Sequence, residues 1–374
     1  MTLPYLTAEL LGIGGVLRER VEDFDVTELP AYEPSGAGEH VFAWIEKRDL
    51  TTPFAIGQLA RALGVPARDL GYAGMKDRRA VTRQWISLPP PLAPEQVLAV
   101  EIEGLRVLRA ARHPHKLRTG HLRGNRFALV LRRCAPGAAA TASAALTALA
   151  AAPGAPNWYG EQRFGRDGDN AAAGLALVRR QRRFDRDARK NRLLLSALQS
   201  HLFNRWLVRR LNDGAYREVL EGDVLRKVGG GVFACTDPGV DQPRLLAGEV
   251  VPTGPMFGVE MRGPPPGSVA HRREAEVLAE AELTLEELAT VRKLAPGARR
   301  DAAVALTDPA VRELAPDVIE VSFALPAGAY ATAVLRELQK APDPLDHGEA
   351  GDADPERHGP GDDAPAPPGL AAPT

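Results

Sequence analysis

The chain has 374 residues, 44% of them hydrophobic and 5% aromatic, with a formal net charge of −1. That length suits two average domains or one large domain with an insertion, and the apolar share supports a buried core. Two cysteines in no ligand or redox spacing, no apolar run of 18 residues and no signal-like N-terminus argue against a disulfide scaffold, a bilayer span and a secretory leader, so a cytoplasmic protein is expected.

The net charge hides a division. Residues 341–374 hold eight acids and one base, which leaves 46 bases against 40 acids before them. A mildly basic body suits a phosphate-rich partner.

Near the N-terminus, GIGG (12–15) has neither the preceding strand nor the downstream acid of a dinucleotide loop. EHVFAWIEK (39–47) is rich in β-formers and predicts a strand. Thr52-Pro53 then opens a helix, with Thr52 expected as its cap, and Gly64 closes it. The next stretch, GYAGMKDRRAVTRQW (71–85), sets one acid, Asp77, among Lys76, Arg78, Arg79 and Arg83. Such a pattern serves equally for a solvated loop or for a carboxylate held ionised on a polyanion-binding surface. TRQWISL (82–88) and NRFALVLRR (125–133) predict further strands, the second with Phe127, Leu129 and Leu131 on one face. This strand–helix–strand rhythm predicts a mixed α/β or α+β domain.

Between residues 105 and 133 there are nine bases, three histidines and no acid. Cations left unpaired by their own segment attract phosphates. His113, His115 and His121 match no metal-ligand spacing, so no metal is expected. Pro136-Gly137 and Pro153-Gly154 bracket an Ala-rich helix and mark a break. Residues 179–192 hold eight bases and two acids, as an RNA-facing or merely solvated surface would. Residues 188–211 form the longest helical pattern, with Leu194, Leu195, Leu198, Leu202, Phe203 and Trp206 as its core stripe. Short strands broken by glycines are expected over 223–262, and helices over 271–282 and 284–294, the second capped by Thr284 with Glu287. DVIEVSFAL (317–325) predicts a strand, Tyr330–Lys340 a helix, and 341–374 a disordered acidic tail. No phosphate-cradling, redox or hydrolase motif occurs, and no cofactor is expected.

Several blocks then align with one family. AGMKDRRAVTRQW (73–85) resembles the catalytic motif of the TruD family of tRNA pseudouridine synthases. EDFDVTE (22–28), HKLRTGHLRGNRF (115–127), PNWYGEQRFG (156–165), LSALQSHLFN (195–204) and FALPAGAYATAVLREL (323–338) resemble that family's other blocks, in its order. The resemblance runs from about residue 15 to 340 and leaves only the tail outside. It implies an α+β fold: a catalytic domain with a mixed sheet and flanking helices (1–154 and 301–340), interrupted by an inserted α/β domain (155–300).

The chemistry it implies is isomerisation of uridine to pseudouridine in tRNA, at position 13. One carboxylate suffices there, because the departing base is also the returning nucleophile. Asp77 matches that aspartate, and either attack on C1′ or removal of a C2′ proton is open to it. Phe24, Asn125 and Phe323 match the pocket for a flipped base, where an exposed aromatic could stack on uracil, and Phe127 either lines that pocket or belongs to the core. Arg18 stands where the family often carries a lysine paired with the catalytic acid. Lys76, Arg78, Arg79, Lys116, Arg118, Arg123 and Arg126 are candidate RNA contacts. Arg163 and Glu161 are expected as a structural ion pair. Asp25 departs from the apolar residue usual after Asp-Phe in this family. A monomer bound to tRNA is the expected assembly. The alternative is a tRNA-binding or RNA-folding protein without the chemistry, built on the same basic segments.

Overall fold

The structure is a computed structural model that describes residues 2–340; the expected disordered tail lies outside the described residues. The chain divides into two compact units. Among the described residues, one is Thr7–Ala151 with Ala305–Lys340; the other is Ala152–Val304 with the N-terminal residues through Leu6.

The first unit opens with β1 (Gly14–Leu17), β2 (Phe24–Pro30), β3 (His40–Arg48), α1 (Thr52–Leu63), β4 (Gly71–Tyr72) and β5 (Val81–Leu88). α2 (Pro94–Leu98), β6 (Leu105–His113), β7 (Leu122–Cys134) and α3 (Ala138–Ala150) complete its first part.

The second unit holds β8 (Ala155–Pro156), α4 (Asn170–Val178), α5 (Ala188–Asn212), β9 (Val224–Lys227), β10 (Val232–Ala234), α6 (Pro238–Leu246) and β11 (Val250–Met256). α7 (Val269–Glu280), α8 (Leu285–Ala289), β12 (Ala298–Asp301) and β13 (Ala303–Val304) end it. Its four-stranded sheet runs β10-β9-β11-β12, and β8 pairs with β13. The expected stripe of α5 is buried at Leu195, Leu198, Leu202, Phe203 and Trp206, and partly at Leu194. The Thr284–Glu287 capping box is present, yet its helix ends at Ala289 rather than 294. Arg163 donates to the hydroxyls of Ser196 and Ser200 instead of forming the expected ion pair with Glu161.

The chain then returns to the first unit as β14 (Thr307–Ala315), β15 (Val318–Pro326) and α9 (Ala331–Gln339). Its sheet runs β14-β15-β7-β2-β5-β3-β6, with β1 added on β7 and β4 on β5. The β2–β5 pair is parallel and the other pairs are antiparallel, so the sheet is mixed and the fold is α+β as expected. Val41, Ala43 and Ile45 alternate toward one face of β3 and bury Ala55, Ile56 and Leu59 of α1.

The α1 corner differs from expectation by one residue. Thr51, not Thr52, caps the helix by accepting from the Phe54 amide at 3.2 Å, and Gly64 ends it in the left-handed region. Thr52 lies in the first turn, buried, and its hydroxyl is free for another partner. β5 is flanked on one side by two short neighbours: β2 pairs with Val81–Arg83, and β4 with Ile86–Ser87. The loop 73–80 must therefore run back from β4 to the start of β5 beside the sheet's centre. At its entry, a Cβ on Gly71 would meet the Leu117 carbonyl oxygen at 2.2 Å, so only glycine fits.

Candidate active site

Four hydrogen bonds pin the 73–80 loop from below. Gln84 Nε2 donates to the Gly74 carbonyl at 2.9 Å. The Lys76 amide donates to Thr52 Oγ1 at 2.9 Å, and that hydroxyl in turn donates to Gln84 Oε1 at 3.1 Å. Lys76 Nζ reaches Glu28 Oε2 at 3.0 Å with both side chains buried. Lys47 Nζ donates to the Asp77 carbonyl at 2.6 Å. Glu28 is itself oriented, since its other oxygen accepts from the Trp85 amide at 3.2 Å. A buried ion pair of this kind adds little net stability, but breaking it strands a charge at a cost of about 3–5 kcal/mol, which makes it a rigid clamp.

Above this clamp the Asp77 side chain is about half exposed and meets Arg18 Nη2 at 3.0 Å. Arg18 occupies the left-handed region at φ 59°, an uncommon place for a side chain of its size. Its guanidinium carbon lies 3.9 Å over the Phe24 ring centroid, a cation–π contact that fixes the group's plane. From Phe24 the aromatic contacts continue. Phe127 meets it edge-on at 6.4 Å, and Phe323 lies 5.6 Å from Phe127. Phe323 and Phe127 are directly opposite in the β15–β7 register. Asn125, two residues before Phe127 on the same face, stands opposite Glu28 on β2. Its Oδ1 is buried and has no hydrogen-bond partner. Asp77, Arg18, Phe24, Phe127, Phe323 and Asn125 are thus brought into one chain of neighbours.

Two expectations change. Phe24, Phe127 and Phe323 are 3%, 6% and 0% exposed, so none presents an open ring face for stacking. They are a packed wall, because strand pairing sets each ring against the next. Lys76 also changes place: its ammonium is spent on Glu28 inside the fold, which removes it from the candidate RNA contacts.

The other cations around Asp77 divide by partner. Arg83 is shared between Asp25, through two oxygens at 2.9 and 2.8 Å, and Glu46 at 2.8 Å, which explains the unusual Asp25. Arg78 approaches Asp49 at 3.8 Å, and Arg79 is exposed. In the acid-free segment, Lys116 Nζ donates to the Arg68 carbonyl and Arg123 Nε to the Pro30 carbonyl, both at 2.9 Å. Arg126 forms an exposed pair with Asp308 at 2.7 Å. Arg118 is exposed and makes no side-chain hydrogen bond or ion pair among the described residues. His121 Nδ1 lies 2.8 Å from the Tyr32 hydroxyl, and His113 stacks on the Tyr32 ring at 5.2 Å; partial burial depresses the His113 pKa. Lys47, Glu28, Thr52 and Gln84 were absent from the candidates read in the sequence. Lys47 carried a signal, since it falls on the apolar face of β3 with Val41, Ala43 and Ile45.

A mixed sheet thus carries a clamped loop whose half-exposed acid, Asp77, has a guanidinium beside it. A family model described as tRNA pseudouridine synthase D (TruD) matches residues 1–184 and 187–338. The chain belongs to the TruD family. It is 48% identical over 345 residues to a tRNA pseudouridine synthase D of Anaeromyxobacter dehalogenans, covering 91% of this chain and 97% of that one. It is 43% identical over 348 residues to a Thermus thermophilus protein of the same name, covering 93% and 94%. A crystal structure of a putative tRNA pseudouridine synthase D from Methanosarcina mazei shares the fold, with a TM-score of 0.74 at 23% identity over 91% of this chain and 97% of that one.

Proposed function

We propose that this member of the family isomerises uridine 13 of tRNA through Asp77. The observation that carries the proposal is Asp77 itself: its main chain is clamped from below while its carboxyl projects, half exposed, onto Arg18. The N1–C1′ bond of the target breaks, the uracil turns, a C5–C1′ bond forms, and the C5 proton is lost as N1 regains one. Asp77 acts as nucleophile at C1′ or as base at C2′. Arg18 pairs with its carboxyl and leaves it a fixed direction of approach. The target must leave its stack to reach this acid. The buried wall of Phe24, Phe127 and Phe323 packs behind the site and holds Arg18 in place, and Asn125 Oδ1 offers an unused acceptor to a uracil N–H.

The unit Thr7–Ala151 with Ala305–Lys340 is the catalytic half, and Ala152–Val304 the inserted one. Arg78, Arg79, Lys116, Arg118, Arg123 and Arg126 meet the tRNA backbone. Four exposed arginines of the inserted unit, Arg180, Arg183, Arg186 and Arg192, have no side-chain partner among the described residues and serve the same end. No described helix is long and apolar enough to cross a membrane. The working state is a cytoplasmic monomer on tRNA. Asp77→Asn tests the assignment: it keeps the shape and the backbone bond to Lys47, so tRNA binding persists while pseudouridine formation vanishes. Residual formation at the wild-type rate would place the chemistry on another group.

A further inference from the structure

Lys47 is fully buried under α1, where an uncharged side chain would serve the packing better. Its Nζ donates at 2.6 Å to the Leu50 carbonyl and at 2.6 Å to the Asp77 carbonyl. Neither acceptor carries a charge, so no contact ion pair among the described residues neutralises the ammonium. The charged groups that face it are Asp77 and Asp49, which favour its protonated form, and Lys76, which opposes it. Lys76 is already paired with Glu28, and Asp49 lies 3.8 Å from Arg78. Across the sheet stand the uncharged Thr82 on β5 and Leu105 on β6, and Thr52 of α1 is neutral.

We propose that Lys47 is a positioning residue for catalysis: its ammonium anchors the Asp77 main chain and sets a positive charge behind the catalytic carboxylate, so that turnover requires Lys47 to be protonated. The inference rests on Asp77 as the reacting acid. A neutral amine still has two hydrogens for the two carbonyls, so deprotonation removes the charge and leaves the anchor. Burial lowers the Lys47 pKa from 10.5 to about 8. The sign of the two consequences differs. The catalytic rate falls as pH rises through about 8, because the charge is lost. The stability contributed by this group rises between about 8 and 10.5, because the unfolded chain there holds a proton that the folded one has released.

The test measures the single-turnover rate, the KM for tRNA and the melting temperature over about pH 6.5 to 9.5. It compares the wild type with Lys47→Gln, which keeps two N–H donors without the charge, and with Lys47→Met, which keeps neither. Wild type should lose rate above about pH 8 at constant KM while its melting temperature gains relative to Lys47→Gln. Lys47→Gln should be slower by about ten- to a hundredfold at pH 7, with KM unchanged and the alkaline limb gone. Lys47→Met should be slower still. A Lys47→Gln protein with wild-type rate, or one that keeps the same limb (as ionisation of the uracil would produce), overturns the proposal. Where the Lys47 variants fail to fold, Asp77→Asn gives the answer without activity. Removing the carboxylate should move the Lys47 step in the stability profile to lower pH, and an unmoved step overturns the coupling. Activity surviving in Asp77→Asn would instead remove the assignment of Asp77.

Discussion

At the scale of single residues, Asn125 and Asp77 show how much local sequence can say. Asp77 was legible as a lone acid among cations, but charge pattern alone left it a loop residue or a catalyst. Contacts divide those cations: Lys76 belongs to Glu28, Arg83 to Asp25 and Glu46, and Arg18, 59 residues away in sequence, is the one that meets Asp77. Asn125 was legible only through the family resemblance, since its neighbours suggest a residue before a strand. The structure adds that its Oδ1 is a buried acceptor without a partner. Leaving such a group unmet costs about 1–3 kcal/mol in the free protein. Asn125→Ala should therefore leave the melting temperature unchanged or raise it, while kcat/KM falls by about ten- to a hundredfold. A drop in stability together with intact turnover would show a structural role instead.

At the scale of elements, the corner between β3 and α1 separates two threonines that look alike in sequence. Thr51 caps the helix, and Thr52 receives the Lys76 amide and donates to Gln84. Thr51→Ala should cost about 0.5–2 kcal/mol in denaturant melts with turnover little changed. Thr52→Ala should slow turnover more than it lowers stability, because it unfastens the loop that carries Asp77. Equal effects of the two on turnover would count against the clamp. The strands with clear alternation, β3, β5, β7 and β15, were readable from β-formers. β6 was read only as a basic segment, and β14 (TDPAVRELA) was not read as a strand at all. Both are edge strands rich in charge, where one side meets solvent and the apolar alternation that marks a strand is lost. α8 stops early because its second turn relaxes into tighter bends after Ala289.

For the molecule as a whole, the partner sets the prediction. If the exposed arginines meet phosphate, the KM for tRNA should climb steeply with salt, with a slope of about 0.7–0.9 on a double-logarithmic plot for each phosphate contact. Arg118→Ala should lower that slope by about one, and Arg126→Ala by less, since Arg126 already shares its charge with Asp308. A slope unchanged in Arg118→Ala would take Arg118 off the contact surface. By itself the sequence determined the elements with strong periodicity, the basic body, the family and, through it, the candidacy of Asp77, because these depend on residue types at short spacing. Tertiary structure alone decided what surrounds that acid. The Lys47 anchor, the Glu28–Lys76 clamp, the closed aromatic wall and the orphan acceptor of Asn125 join residues from strands far apart in the chain, and only sheet register brings such groups within reach of one another.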